Sequence, residues 1–319
     1  MNVSETFANR KIIVTGAAGF IGGHVAASLS QVPCRLALLD TAKGPPCAPP
    51  QGVATISRHA LSIRDPQFLE MLRDEKFDYV FHFAGNANVA TSVSDPAYDF
   101  DVNLHGSLGI LETIKQTRHN TVLIYASSAA VYGNPMRLPI SEADATVPIS
   151  PYGVGKLAME RYLAVYCRLY GLRGASVRMF SPFGPRLRKQ IVFELMQKLH
   201  AAPASLEVLG HSAQTRDFIY IDDVVSAILS VAERGSLDGT TYNIGRGIET
   251  PIATLVQHLI ADMSPGTPVT YRGESMPGYP DNWCADISRI QALGWKPVVP
   301  LEIGLRDTVQ WYLREYSQR

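Results

Sequence analysis

The chain has 319 residues, with 29 basic and 29 acidic side chains and a formal net charge of zero, a balance that gives no electrostatic footprint for nucleic acid or an anionic membrane. No apolar run approaches the ~18 residues of a spanning helix, and the polar start, Met1 to Arg10, lacks the apolar core of a signal peptide. The four cysteines, Cys34, Cys47, Cys167 and Cys284, form no CxxC pair and the eight histidines have no metal-ligand spacing, so no disulfide framework or metal site is expected and a reducing, cytoplasmic setting fits.

Residues 11–15 (KIIVT), 35–40 (RLALLD), 79–83 (YVFHF), 121–126 (TVLIYA) and 175–180 (ASVRMF) read as buried parallel strands, short and rich in apolar side chains. Helical patterns at about 20–31, 96–117 and 151–170 separate them. Such alternation predicts an α/β fold, a Rossmann-type doubly wound parallel sheet with right-handed crossovers. Residues 43–52 (KGPPCAPPQG) read as a Pro-rich surface loop. After Phe180, prolines punctuate shorter elements, which predicts a smaller C-terminal substrate-binding lobe over the carboxyl ends of the strands. Residues 219–233 read as a strand end and helix that return to the main sheet. The expected division is 1–180 for the sheet domain, with 216–240 returning to it, and 181–319 for most of the second lobe, interleaved with the first.

The segment 11–23, KIIVTGAAGFIGG, is a strand, a glycine turn and a helix start. Gly16 permits the tight turn, Gly19 lets the backbone approach a pyrophosphate, and Gly22 lets the helix pack against the strand. The helix N-terminus then offers unpaired N–H groups to the phosphates. The second strand ends at Asp40, about 20 residues on, where a carboxylate accepts hydrogen bonds from an adenosine ribose. A carboxylate there repels a 2′-phosphate and no arginine follows it, which favours NAD over NADP. The alternative reading of Asp40 is a solvated loop-start residue.

Further on, SPYGVGK places Tyr152 and Lys156 one helical turn apart on the same face. A free tyrosine has a pKa of about 10; a neighbouring ammonium favours its phenolate and brings it toward the range of a general base. Upstream, YASSAAVYG sets Ser127 and Ser128 at the carboxyl end of a buried strand, the active-site rim of this architecture.

Taken in order, GAAGFIGGHV, DYVFHFAG, YASSAAVYG, PYGVGK, FSPFGPR and TRDFIYIDDV resemble the extended short-chain dehydrogenase family of NAD-dependent nucleotide-sugar epimerases and dehydratases. The resemblance runs from about Lys11 to the final helix near 301–316. It implies that Tyr152 takes the proton of a sugar hydroxyl, that Lys156 holds the nicotinamide ribose and tunes Tyr152, and that Ser128 hydrogen-bonds the reacting oxygen. Phe20, Ile21, Ser62, Ile63, Phe83, Ala84, Gly85 and Asn103 are then expected along the cofactor. Asn88, Ser127, Ser181, Arg188, Arg216 and Met276 are expected on the substrate side, with Arg216 at the nucleotide diphosphate, where a guanidinium fork suits an anion. Read from the residues alone, Arg216 could equally form an ion pair with Asp222 or Asp223, and Asn103 could be a polar group inside a helix.

The Ser-Ser-Ala-Ala pattern resembles the epimerases, since related dehydratases carry Asp-Glu or Asp-Lys where this chain has Ala129 and Ala130. The resemblance therefore implies reversible C4 oxidation of a nucleotide sugar, a UDP-hexose or a related one. A 4-ketosugar reductase and a catalytically silent NAD-binding protein stand as alternatives. The chain departs from the family pattern at Ser181 (usually Asn), Met276 (usually Arg), Tyr279 (usually Asp) and Ser62 (usually Asp). Arg186, Arg188 and Lys189 in PRLRKQ offer replacement anion contacts or simply a solvated basic loop. The helical segments 96–117 and 151–170 resemble those that build a homodimer interface in the family.

Overall fold

Alternation along each central strand sends neighbouring side chains to opposite faces of one sheet, and both faces are covered. The computed structural model describes residues 5–41, 52–201, 204–273 and 280–316. Strands β1 (Lys11–Thr15), β2 (Arg35–Asp40), β3 (Thr55–Ala60), β4 (Tyr79–His82), β5 (Val122–Ser128) and β6 (Arg173–Met179) join a seventh, Asp238–Ile244, in the order β3-β2-β1-β4-β5-β6 followed by that last strand. Every pairing in this sheet is parallel. Ile12, Val14, Leu36 and Leu38 face one core, while Ile13, Ala37, Leu39 and Val80 face the other. Each fully buried Ile or Leu contributes roughly 1.5–3 kcal/mol, so this two-sided burial fixes the strand register.

The helices follow from the same arithmetic. In chain order they are α1 (Phe20–Leu29), α2 (Pro66–Glu75), α3 (Val89–Ser94), α4 (Pro96–Phe100), α5 (Gly106–Thr117), α6 (Pro151–Tyr170), α7 (Gln190–His200) and α8 (Ile221–Arg234). α1 and α8 supply Val25, Leu29, Val224 and Ile228 to the first core. α2, α5 and α6 supply Phe68, Ile110 and Met159 to the second. The crossovers leave β1 and β4 in opposite directions, so a crevice opens at their carboxyl ends, where open α/β sheets bind ligands. No helix among the described residues is long and apolar enough to cross a membrane.

The five expected strands form, with ends shifted by a residue or two. Two further strands carry no apolar run that marks them. β3, TISRHA, is an edge strand with a largely exposed pattern, and Asp238–Ile244, DGTTYNI, is buried only in its last three residues. The latter corrects the expectation for 219–233. Phe218–Tyr220 pairs with Ser181–Phe183 outside the main sheet, whereas α8 packs on that sheet as expected and the chain pairs with β6 again at Asp238–Ile244. The segment 96–117 is not one helix either. It divides into α4, a π-helical turn at Asp101–His105, and α5; such turns often mark functional sites.

A buried ion pair ties α6 to the sheet. The Arg178 guanidinium on β6 meets the Glu160 carboxylate on α6 at 2.6 Å, with side chains 3% and 2% exposed. Arg178 also donates to Tyr132 Oη at 2.8 Å, and Tyr132 donates to Asn243 Oδ1 on the seventh strand at 2.6 Å. Removing one partner of a buried pair strands the other charge, which costs about 3–5 kcal/mol. Arg178→Ala is therefore expected to lower the unfolding free energy by that amount, as measured by urea titration; a loss under about 1 kcal/mol would contradict this reading.

Candidate active site

The glycine turn is built by close approach. β1 pairs with β4 so that Thr15 lies opposite His82, and Gly16 (φ +70°) follows directly. A Cβ on Gly16 would sit 2.7 Å from the Ala84 nitrogen, and one on Gly22 would sit 2.2 Å from the Gly16 carbonyl oxygen. Both contacts are with backbone, so neither position can relax around a side chain. α1 then begins at Gly19, which supplies no side-chain cap; its first N–H groups are left for an anion.

Gly16, Gly19, Phe20, Ile21, Gly22 and Asp40 line one wall of a cavity of about 360 Å³. Ser62 and Ile63 line it near Asp40, and Phe83, Ala84 and Gly85 line it on the β4 side. The Asp40 carboxylate accepts the Ala18 N–H at 2.9 Å, which holds it at the end of β2. A glycine cradle, an uncapped helix start and a fixed carboxylate form the donor and acceptor set that a dinucleotide needs, so the residues present fit NAD.

The same cavity reaches Ser128, Tyr152 and Lys156. Ser150 caps α6 by accepting the Gly153 N–H at 3.2 Å, and Pro151 opens the helix. Tyr152 and Lys156 therefore lie on its first turns, beside the end of β5. Ser128 Oγ accepts the Ala130 N–H at 3.2 Å, which leaves its O–H to donate toward the cavity. Lys156 is 5% exposed, and its ammonium donates to the Ala126 carbonyl at 2.9 Å. It lies 5.0 Å from the Tyr125 ring centre and 5.7 Å from that of Tyr152. Burial brings its pKa down to about 8; Asp99 and Glu160 oppose that shift, and Lys189 adds to it.

Behind the cavity wall stands a polar support that the motifs do not announce. Asp99, 1% exposed, accepts from Asn86 Nδ2 at 2.7 Å and Asn103 Nδ2 at 2.8 Å. Asn103 also donates to the Asn86 carbonyl at 3.0 Å, and its Oδ1 faces Gly85, where a Cβ would come within 2.3 Å. Beneath it runs a relay through His82. Ser107 Oγ donates to the Asn103 carbonyl, so it accepts from His82 Nε2 at 2.8 Å. Thr15 Oγ1 accepts the Ala84 N–H, so it donates to His82 Nδ1 at 2.7 Å. This direction assigns the neutral Nε2–H tautomer. Burial holds the ring neutral, with its pKa down to about 3 and Lys156 adding to the shift.

Several expected residues take other positions. Asn103 sits behind Gly85 and orders the loop rather than lining the cavity. Asn88 caps α3 by accepting the Thr91 N–H, and its neighbours Asn86 and Ala87 form the wall instead. Ser127 does line the cavity, but its hydroxyl donates to Glu160 at 2.5 Å and so joins the buried Arg178 network. Arg188 pairs with Glu315 at 3.5 Å on the surface; Lys189 and Gln190 line the cavity in its place. Met276 and Tyr279 lie outside the described residues.

A second cavity of about 200 Å³ shares Phe180, Pro182 and Gln190 with the first and is lined by Ser181 and Arg216. Arg216 donates to the Thr215 and Asp281 carbonyls at 2.7 and 2.8 Å, and its guanidinium lies over Trp283 at 5.7 Å. Asp223, one candidate for an ion pair with it, accepts the Val298 and Val299 N–H groups. Trp283 carries no motif that marks it, being brought beneath Arg216 by chain return alone.

The Lys156 pKa sets a pH signature. The folded state releases its proton near 8 while the ordinary value is 10.5, so between those values the unfolded chain binds more protons. The stability contribution of Lys156 is then greatest above 10.5 and falls as pH drops toward 8. Lys156→Met removes that slope. Its stability relative to the natural protein, read from urea titrations, is expected to be more favourable at pH 7.5 than at 9.5; a difference independent of pH contradicts the burial argument.

Comparison with known proteins agrees with this geometry. Residues 12–245 match the model of the NAD dependent epimerase/dehydratase family. The structure of a Thermotoga maritima UDP-glucose 4-epimerase with UDP-glucose is 30% identical, superposes with a TM-score of 0.86, and covers 95% of this chain and 99% of its own. A UDP-N-acetylglucosamine 4-epimerase from Methanobrevibacter ruminantium M1, in complex with UDP-N-acetylmuramic acid, is 27% identical with a TM-score of 0.89, covering 97% and 99%. A UDP-glucuronic acid 4-epimerase mutant from Bacillus cereus, with a fluorinated substrate analogue and NAD, is 28% identical with a TM-score of 0.87, covering 96% and 100%. On its ordered motifs, its sheet and the matched family model, the chain belongs to the NAD-dependent epimerase/dehydratase family.

Proposed function

We propose that the chain is a nucleotide-sugar 4-epimerase acting on a UDP-sugar. The observation that carries this reading is the placement of Ser128, Tyr152 and Lys156 in the cavity lined by the glycine turn, next to the Arg216 cavity that shares its wall. Bound NAD supplies a reversible hydride acceptor for the sugar carbon. Tyr152 Oη takes the proton of the hydroxyl on that carbon and later gives it back, while Ser128 Oγ–H holds the same oxygen. Lys156, charged beside the Tyr152 ring, favours the phenolate. Arg216 holds the diphosphate, and the sugar presents its opposite face before reduction. Ala129 and Ala130 are buried and offer no acid or base, which disfavours loss of water.

Residues 1–180 with the returning segment serve as the NAD lobe in this reading, and most of 181–319 as the substrate lobe. A cytoplasmic setting accords with Cys34, Cys167 and Cys284, which are free and buried. A homodimer is also part of it. Val154, Tyr162, Val165 and Leu169 form a stripe along α6, 37% to 61% exposed, and an apolar stripe of this kind suits a second copy.

Tyr152→Phe is expected to lower epimerisation of UDP-sugars about 10²–10⁴-fold by NMR assay with NAD still bound after purification. Full turnover by this variant would reject the assignment, and ready release of NAD by the natural protein would favour a reductase instead. Val165→Glu is expected to convert a dimer to a monomer in sedimentation; an unchanged assembly would place the interface elsewhere.

A further inference from the structure

The loop PRLRKQ between Ser181–Phe183 and α7 carries three cations, and the structure accounts for two of them. Arg186 stands against α1, its guanidinium 3.0 Å from where a Cβ on Gly23 would lie, and Arg188 pairs with Glu315. Lys189 is different. It lines the catalytic cavity together with Ser128, Tyr152 and Lys156, and its ammonium reaches the Ala87 carbonyl at 3.4 Å. No carboxylate pairs with it among the described residues.

The residue as a whole is exposed, but the crowding around its ammonium lowers its pKa. It also stands close enough to Lys156 to depress the pKa of that group. Two ammonium groups therefore face one cavity. Among the described lining residues the only carboxylate is Asp40, held at the opposite end by Ala18. Like charges in a partly desolvated space repel, and an anion placed near both relieves that cost. The backbone holds Lys189 there deliberately. Gln190 (φ +68°), directly after it, and Arg186 (φ +74°), three residues before it, lie in the left-handed region, and non-glycine residues so held concentrate at ligand clamps.

The place of Lys189 selects which anion. The cofactor pyrophosphate belongs at the start of α1. The substrate diphosphate belongs to the second cavity, lined by Arg216 and Lys198 and not by Lys189. What remains beside Tyr152 is the reacting sugar. Resting on the epimerase reading above, we infer that Lys189 is a specificity-determining residue that binds a carboxylate on that sugar, so that the preferred substrate is a nucleotide-linked uronate rather than a neutral hexose.

The test compares kcat/KM for UDP-glucuronate and UDP-glucose in the natural protein, Lys189→Met and Lys189→Arg. The natural protein is expected to prefer the uronate. The Met variant is expected to reduce the uronate-to-glucose ratio about 10- to 100-fold, as for loss of one charge-assisted hydrogen bond, and the Arg variant to restore most of it. An unchanged ratio overturns the proposal. So does an equal loss on both sugars with weakened UDP binding, which assigns Lys189 to the diphosphate, or a loss of bound NAD, which assigns it to the cofactor. If the natural protein turns over neither sugar, the epimerase reading fails separately. Calorimetric affinities for the two nucleotide sugars, in the natural protein and Lys189→Met, then decide the Lys189 assignment by the same ratio.

Discussion

The buried charge of Lys156 is the constraint around which the rest of the site is arranged. An ammonium removed from water costs several kcal/mol unless the protein replaces its hydration. Here the replacement is a carbonyl at the end of β5 and the faces of two tyrosine rings, with Asp99 and Glu160 favouring the charge from behind. These groups come from three elements, β5, α4 and α6. The position of Lys156 therefore depends on the register of β5 and on the start of α6, as well as on the break in the helical segment that buries Asp99. At neutral pH, below its pKa of about 8, the group keeps its charge 5.7 Å from the centre of the Tyr152 ring.

Two polar chains keep this arrangement rigid. The first runs from the Ala84 N–H through Thr15, His82 and Ser107 to the Asn103 carbonyl, joining the cofactor loop to the π-helical turn. A single proton arrangement satisfies Thr15, His82 and Ser107, the condition under which a buried network stiffens a core rather than weakening it. The second runs from Ser127 through Glu160, Arg178 and Tyr132 to Asn243 on the last strand. Both serines line the cavity, but the Ser127 hydroxyl is spent on Glu160 while that of Ser128 stays available.

The second lobe is held together by its polar and charged groups. Ser181 stands where the family has Asn, and the Arg216 guanidinium is set by two backbone carbonyls and the Trp283 ring. Asp217 beside it is buried, its pKa pushed up to about 6 by desolvation and restrained by backbone N–H groups of Ala285, Arg246 and Gly247, so it fixes the loops that carry Arg216. The positive charge facing the reacting end comes from the loop before α7.

Local rules made much of this legible in the sequence. The glycine turn, Asp40, the serine pair and the Tyr152–Lys156 spacing each encode their chemistry within a few residues, because turns, caps and one-turn helical neighbours are decided by nearby backbone geometry. The five apolar strands are legible for the same reason. β3 and Asp238–Ile244 are not, since an edge strand and a half-buried strand need no apolar run. Asn103, Asn88 and Arg188 carry the residue types the site requires, but only the π-helical turn, a helix cap and the path of the loop decide that they lie outside the cavity wall. His82, Asp99, Trp283 and Lys189 acquire their meaning from partners far away in the chain. The sequence by itself determined the cofactor fold and the spacing of Tyr152 and Lys156, and the tertiary structure decided which polar groups face the cavity, because burial and pairing are properties of segments brought together and not of any one of them.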